Sequence, residues 1–161
     1  MSLARRLRPF GFRVVAYDPY ADAEIVHQAG VELLALEEVL AQASAVSLHV
    51  PVTQETRHMV DRRFIDALRP GTVLVNTSRG GLVDEAALAA ALSTGQLAAA
   101  ALDVFDPEPL DSMSPLRSLP NVLLTPHAAF FSDDSVVALQ HLATEEAGRA
   151  LAGDPLSSRV V

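Results

Sequence analysis

The residues of this sequence best equipped for chemistry each stand just after a run that reads as a β-strand. Arg79 closes the run Val75-Asn76-Thr77-Ser78-Arg79-Gly80-Gly81, so an apolar strand delivers a guanidinium into a glycine turn. A guanidinium fork holds a carboxylate in a fixed plane, and Gly80-Gly81 lets backbone approach a ligand more closely than a bulkier pair would. A strand-end arginine also has a plain reading as a surface charge, but the small polar neighbours Asn76, Thr77 and Ser78 favour a ligand.

His127 follows Pro126 and precedes two alanines that leave space around its ring. Glu108, in a loop flanked by Pro107 and Pro109, is a carboxylate able to hold an imidazole in one tautomer and to favour its protonated form. A structural role for the histidine stays open, because spacing in sequence does not establish contact. Asp103 is a carboxylate at an otherwise apolar strand terminus, Ala101-Leu102-Asp103-Val104-Phe105, which costs free energy unless it is paired or hydrogen-bonded. Function explains that cost, and so does a bond to neighbouring backbone. Asp18 has no basic neighbour until His27 and is placed to accept hydrogen bonds from both hydroxyls of an adenosine ribose. That favours NAD over NADP, whose 2′-phosphate would set two anions together. The alternative is that Asp18-Pro19 caps a helix beginning near Ala21. His27, His49, His58 and His141 show no ligand spacing, and no metal site is expected.

These residues need a scaffold that brings strand ends together. Strand-like runs at 13–17, 31–34, 45–50, 72–76, 97–104 and 121–125 alternate with helix-like runs, the pattern of a parallel sheet with helical crossovers. Residues 21–29 read as a helix stopped by Gly30, and Leu36, Val39 and Leu40 repeat at helical spacing. Phe64, Ile65 and Leu68 form the apolar face of another helix, closed by Arg69-Pro70-Gly71. Asp84 suits the cap of a helix over 85–92 with Gly95 as its left-handed stop. Asp133 or Asp134 begins a long helix from about Ser135 to Ala152. The fold class is α/β, and in open parallel sheets ligands sit outside the carboxyl ends of the strands.

The chain has 161 residues, half of them apolar, enough for one domain with a real core. Twenty acidic residues against twelve basic ones give a formal charge of −8, which repels phosphate backbones and argues against nucleic acid. Polar residues interrupt the alanine-rich stretch 86–104, so no window reaches membrane-spanning length. There is no cysteine and no basic-plus-apolar signal region, and a cytoplasmic location is expected.

Taken together, 76–84, Leu102-Asp103-Val104-Phe105 with Glu108-Pro109, and Thr125-Pro126-His127 resemble the D-isomer-specific 2-hydroxyacid dehydrogenases. Tyr17-Asp18-Pro19 and His49-Val50-Pro51 extend the resemblance over nearly the whole chain. It implies a Rossmann-like parallel sheet with flanking helices, NAD as cofactor, and hydride exchange between NAD(H) and a small D-2-hydroxy or 2-oxo acid. It assigns Arg79 to the substrate carboxylate, His127 to proton transfer and Glu108 to its partner, and it counts Arg79 and His127 among the cofactor-binding residues as well. Asp18 would hold the adenine ribose, Val50 and Pro51 would lie near the adenine, and Thr77, Ser78 and Ala129 would line the nicotinamide side. Asp103 would receive the carboxamide.

Two departures from the family pattern are evident. Ala128-Ala129-Phe130-Phe131 after the histidine is similar to the C-terminal binding protein corepressors, a branch that binds NAD and partners, so a non-catalytic NAD-sensing module is the alternative. Only seventeen residues precede Asp18, too few for a first strand and a G-x-G-x-x-G turn about 20 residues upstream. The sheet is expected to lack both, as a truncated dinucleotide-binding domain over 1–131. A C-terminal helix and tail over 132–161 would in the family return to the substrate domain. Low activity of the fragment alone is expected, together with a homo-oligomer or strand exchange that covers the exposed strand edges.

Overall fold

Short apolar strands alternating with capped helices build a parallel α/β framework, seen in a computed structural model that describes residues 2–157. Two compact units divide the chain, Met1–Pro126 and His127–Val161. The first unit runs α1 (Ser2–Leu7), β1 (Val15–Ala16), α2 (Ala23–Gln28), β2 (Glu32–Leu33), α3 (Leu36–Gln42), β3 (Ala45–Leu48), α4 (Arg62–Asp66), β4 (Thr72–Asn76), α5 (Glu85–Thr94), β5 (Leu97–Leu102) and β6 (Val122–Leu124). The second contains α6 (Asp133–Ala152).

The strands form two parallel sheets, β1-β2 and β3-β4-β5-β6. Among the described residues β1 pairs with β2 alone and β3 with β4 alone. Register shifts by one residue between Thr72 and Val73 where β4 meets β5, but at the carboxyl end the strands are aligned: Leu48 stands opposite Asn76, Asn76 opposite Leu102 and Leu102 opposite Leu124. Parallel strands aligned in this way finish on one edge, and every loop that follows emerges there.

Two hydrophobic clusters support the sheets. The larger joins α3, α4, α5 and the inner face of the four-stranded sheet, with Val60, Leu74, Leu82, Leu88 and Leu97 fully buried. Thr72 and Asn76 are buried among them, and both are hydrogen-bonded. The smaller cluster gathers Ala4, Val26 and Val31 with Val14, Ala16 and Leu33 around β1 and β2.

Local chemistry explains where the elements differ from expectation. The helix expected over 21–29 is Ala23–Gln28, because Asp22 caps it by accepting from the amides of Glu24 and Ile25. Asp18 therefore is not that helix's cap. The helix after Asp84 continues to Thr94, since the hydroxyls of Ser93 and Thr94 donate back to Ala89 and Ala91 carbonyls, and Gly95 ends it at φ 79°. The last helix starts two residues earlier than expected. Ser132 is its cap, exchanging hydrogen bonds with Ser135, and Asp133 and Asp134 fall in the first turn, where the helix dipole favours anions.

Candidate active site

At the carboxyl edge of the larger sheet, a chain of hydrogen bonds runs from strand end to strand end. The Ser78 hydroxyl donates to the Val50 carbonyl at 2.7 Å, tying the turn after β4 to the end of β3. The Ser78 amide donates to Asn76 Oδ1 at 3.0 Å, while Asn76 Nδ2 donates to the Arg79 carbonyl at 2.9 Å. The amide of Asp103 then donates to the Asn76 carbonyl at 2.9 Å, joining β5. Finally the Thr125 hydroxyl donates to Asp103 Oδ1 at 2.5 Å, joining β6.

Asn76 organises the turn. Its side chain is fully buried and is used at both ends, so the chain from Asn76 to Arg79 is folded back on the amide. The sequence reading treated Asn76 only as a small polar neighbour of Arg79. The available signal was an asparagine whose side chain can bond the amide two residues on, in place of a backbone turn. With the turn held this way, Arg79 lies in an extended conformation with its side chain exposed, and its Nη1 donates to the Ser78 carbonyl at 2.7 Å. The remaining donors of the guanidinium fork suit an incoming carboxylate.

Gly80 has a structural use beside the ligand approach expected of the glycine pair. A Cβ on Gly80 would stand 1.9 Å from the Phe105 carbonyl carbon, so the turn after β4 and the loop after β5 are in backbone contact. That contact sets Arg79 beside the loop carrying Glu108. Glu108 is exposed, and its Oε1 accepts from the Phe105 amide at 2.9 Å, which closes the loop on itself. Asp103 is buried, and the Thr125 hydroxyl offsets part of the cost of burying its carboxylate.

Asp18 stands at the end of β1, exposed, with Oδ1 accepting from the Tyr20 amide at 2.9 Å. Among the described residues its second oxygen accepts no hydrogen bond. Val50 is half-buried and Pro51 exposed at the end of β3, and Thr77 is exposed beside half-buried Ser78. These first-unit residues all follow strand ends. His127 and Ala129 begin the second unit and are exposed there. His127 takes a left-handed backbone conformation, φ 52°, and its ring meets Phe130 edge-on with centroids 6.3 Å apart. A residue with a Cβ is strained in that region, and such strain gathers at functional positions. Among the described residues, no group of three or more histidine, aspartate or glutamate side chains is placed to hold a metal ion.

The setting of His49 perturbs its titration. His49, whose Nε2 lies 2.9 Å from the Ser47 hydroxyl, is held below its ordinary value of 6.5 chiefly by desolvation. Burial disfavours the imidazolium.

The family described as D-isomer specific 2-hydroxyacid dehydrogenase, NAD binding domain, matches residues 1–129. D-3-phosphoglycerate dehydrogenase of Mycobacterium tuberculosis is 48% identical over 125 residues, covering 78% of this chain and 24% of that protein. Among solved structures, the TT0316 protein from Thermus thermophilus superposes with a TM-score of 0.88 at 38% identity, over 99% of this chain and 50% of that one. D-mandelate dehydrogenase of Rhodotorula graminis gives 0.88 at 34% identity, over 99% of this chain and 47% of that one. The chain thus spans about a quarter of the curated relative's length and about half of the solved ones.

Proposed function

The chain belongs to the D-isomer specific 2-hydroxyacid dehydrogenases through their NAD-binding domain, and from that membership we propose that it is the cofactor-binding part of an oxidoreductase interconverting D-2-hydroxy acids and 2-oxo acids. When bound, NAD supplies the hydride acceptor or, reduced, the donor. Asp18 holds the adenine ribose through its unengaged oxygen, Val50 and Pro51 flank the adenine, and Thr77, Ser78 and Ala129 lie along the nicotinamide side. Asp103 receives the carboxamide.

Arg79 binds the substrate carboxylate and draws electron density from the adjacent carbonyl. His127 gives a proton to the C2 oxygen in reduction and removes it in oxidation, with Glu108 orienting the imidazole. The observation that carries this reading is the turn built by Asn76, which spends a buried amide on presenting one exposed arginine at a strand end. Residues 1–131 are the dinucleotide-binding part, and 132–161 lead toward a substrate part. We place the protein in the cytoplasm; among the described residues no helix is long and apolar enough to cross a membrane. A homo-oligomer with strand exchange at the edges of β1 and β3 is part of the proposal, supported by strands that pair on one side only among the described residues.

The test is NADH oxidation with a panel of 2-oxo acids that includes glyoxylate, hydroxypyruvate and pyruvate. Arg79→Gln is expected to raise KM for the 2-oxo acid about 10- to 100-fold, the worth of charge-assisted hydrogen bonds of ~1.5–3 kcal/mol. NADH affinity should fall by less than the change in KM. Equal kinetics in both proteins would remove Arg79 from the substrate site.

A second reading, an NAD-sensing binding module like the C-terminal binding protein corepressors, is favoured by the exposed pair Phe130 and Phe131, whose rings meet edge-on 6.3 Å apart. NADH binding without reduction of any acid in the panel would support it over the enzyme.

A further inference from the structure

Three loops leave the carboxyl edge of the larger sheet, and an ion pair crosses the middle one. Arg57, in the loop after β3, donates from Nη1 to Asp106 Oδ2 at 2.9 Å, in the loop after β5. Between them passes the turn after β4. Gly81 lies under the pair: a Cβ there would stand 3.1 Å from Asp106 Oδ2 and 3.6 Å from Arg57 Nη2. The absence of that carbon lets the two side chains meet two residues beyond Arg79.

Both ends of the pair are braced. The Arg57 amide donates to the Thr53 carbonyl, and the Thr56 hydroxyl donates to the Pro51 carbonyl at 2.7 Å, which folds the loop after β3 into a tight turn. Its next residues are stitched to the turn below. The His58 amide donates to the Gly81 carbonyl at 2.8 Å, the Val60 amide to Leu82 at 3.0 Å and the Asp84 amide back to Val60 at 3.1 Å. His58 takes a left-handed conformation, φ 53°, to make the first of these bonds. Asp106 is braced through its neighbour Phe105, whose backbone touches Gly80.

We propose that Arg57 and Asp106 are positioning residues, a clasp that fastens the Arg79 turn from above while Asn76 fastens it from below. The proposal rests on the reading of Arg79 as the carboxylate-binding group and adds two residues to which that reading assigns nothing. The pair touches no reacting atom; it limits where the guanidinium can stand. Both side chains are about half exposed, 55% and 44%, so its strength is that of a screened surface pair and its effect is a modest one on order in the turn.

Amide hydrogen exchange reads that order directly. It is compared in the unaltered protein, in Arg57→Gln, in Asp106→Asn, and in the exchanged pair Arg57→Asp with Asp106→Arg. Each single variant is expected to speed exchange at Leu82 and Val83 about threefold at low salt, the size of an exposed pair. Amides of β4 should be unchanged, and the exchanged pair should restore protection. Single variants that exchange like the unaltered protein, equal acceleration through β4, or no recovery in the exchanged pair would overturn the clasp. Calorimetry with oxalate, a small dicarboxylate mimic of a 2-oxo acid, in the presence of NADH supplies the second readout. The single variants should weaken oxalate about threefold and recover in the exchanged pair, with NADH affinity constant. Oxalate bound equally by all four proteins would also overturn it. If the unaltered protein binds neither NADH nor oxalate, the dehydrogenase reading fails and the exchange result alone decides the clasp.

Discussion

Gly80→Ala puts the architecture of the site to its hardest test, because the added carbon has nowhere to go. It would stand 1.9 Å from the carbonyl carbon of Phe105, 2.1 Å from its oxygen and 2.4 Å from its Cα. Ordinary contact begins at 3.4 Å, so about 1.5 Å of separation (3.4 − 1.9) must be found, and all three atoms are backbone. No side-chain rotamer relieves it. Overpacking of this kind costs about 1–3 kcal/mol, and a clash with backbone belongs at the upper end. The relief available is to part the turn after β4 from the loop after β5. That moves Arg79 away from the loop that carries Glu108 by more than the ~1 Å that can lower turnover about 100-fold. Urea unfolding should show a lower midpoint at an unchanged m-value, a loss of about 3 kcal/mol. Gly148→Ala is the control: it sits within α6 with nothing inside 4 Å of the new carbon. There alanine should favour the helix by about 1 kcal/mol, read as a rise in far-ultraviolet ellipticity. A Gly80→Ala protein within 0.5 kcal/mol of the unaltered one would refute the close approach of the two loops.

Other substitutions probe different parts of the edge. Asn76→Ala leaves the Ser78 amide and the Arg79 carbonyl without their present partner, and should cost about 1–3 kcal/mol for each group that water does not reach, measured by urea unfolding. A loss below 0.5 kcal/mol would mean that the turn holds itself. Partial desolvation lowers the pKa of His49, so the folded chain binds fewer protons than the unfolded one; this contribution to stability is complete above 6.5 and falls as pH drops below that value through the lower folded pKa. His49→Gln should flatten the fall in urea midpoint between neutral and mildly acidic pH, and parallel profiles would rule His49 out. His58 holds a positive φ, so His58→Val should lose about 1–2 kcal/mol while His58→Gly stays within about 1 kcal/mol, by thermal melts. Equal destabilisation by both would point to a side-chain contact instead of backbone strain.

Most of the scaffold was legible in the sequence because strand, helix and stop signals are local. The strand 72–76 and the left-handed stop at Gly95 depend on residues within a few positions of each other, and both stand where the pattern puts them. The positions of Arg79 and Asp103 after strand ends are local in the same way: they follow the last residues of β4 and β5, Asn76 and Leu102, closely. What escaped the sequence depends on chain distance. The Gly80 contact spans the interval to Phe105, and the Arg57–Asp106 pair joins residues 49 apart. Neither has a local signature, since a glycine reads alike whether a ligand or another backbone fills its open side. Ser132 shows a smaller version of the difficulty. A serine and two aspartates in succession all suit a cap, and the reciprocal bonds with Ser135 select among them.

The two hydrophobic clusters give the ends of the proposed cofactor different footings. Asp18 rises from a two-stranded sheet over a cluster with three buried members, whereas Asn76, Arg79 and Asp103 rise from four strands over the larger one. A two-stranded sheet has little stability of its own. Opening that corner alone therefore takes less free energy than unfolding the whole, and a dinucleotide held by Asp18 as proposed would tighten the corner on binding. Grip on the adenosine end becomes a matter of local folding, adjustable by substitutions around Val26 and Val31 that touch no part of the substrate's surroundings.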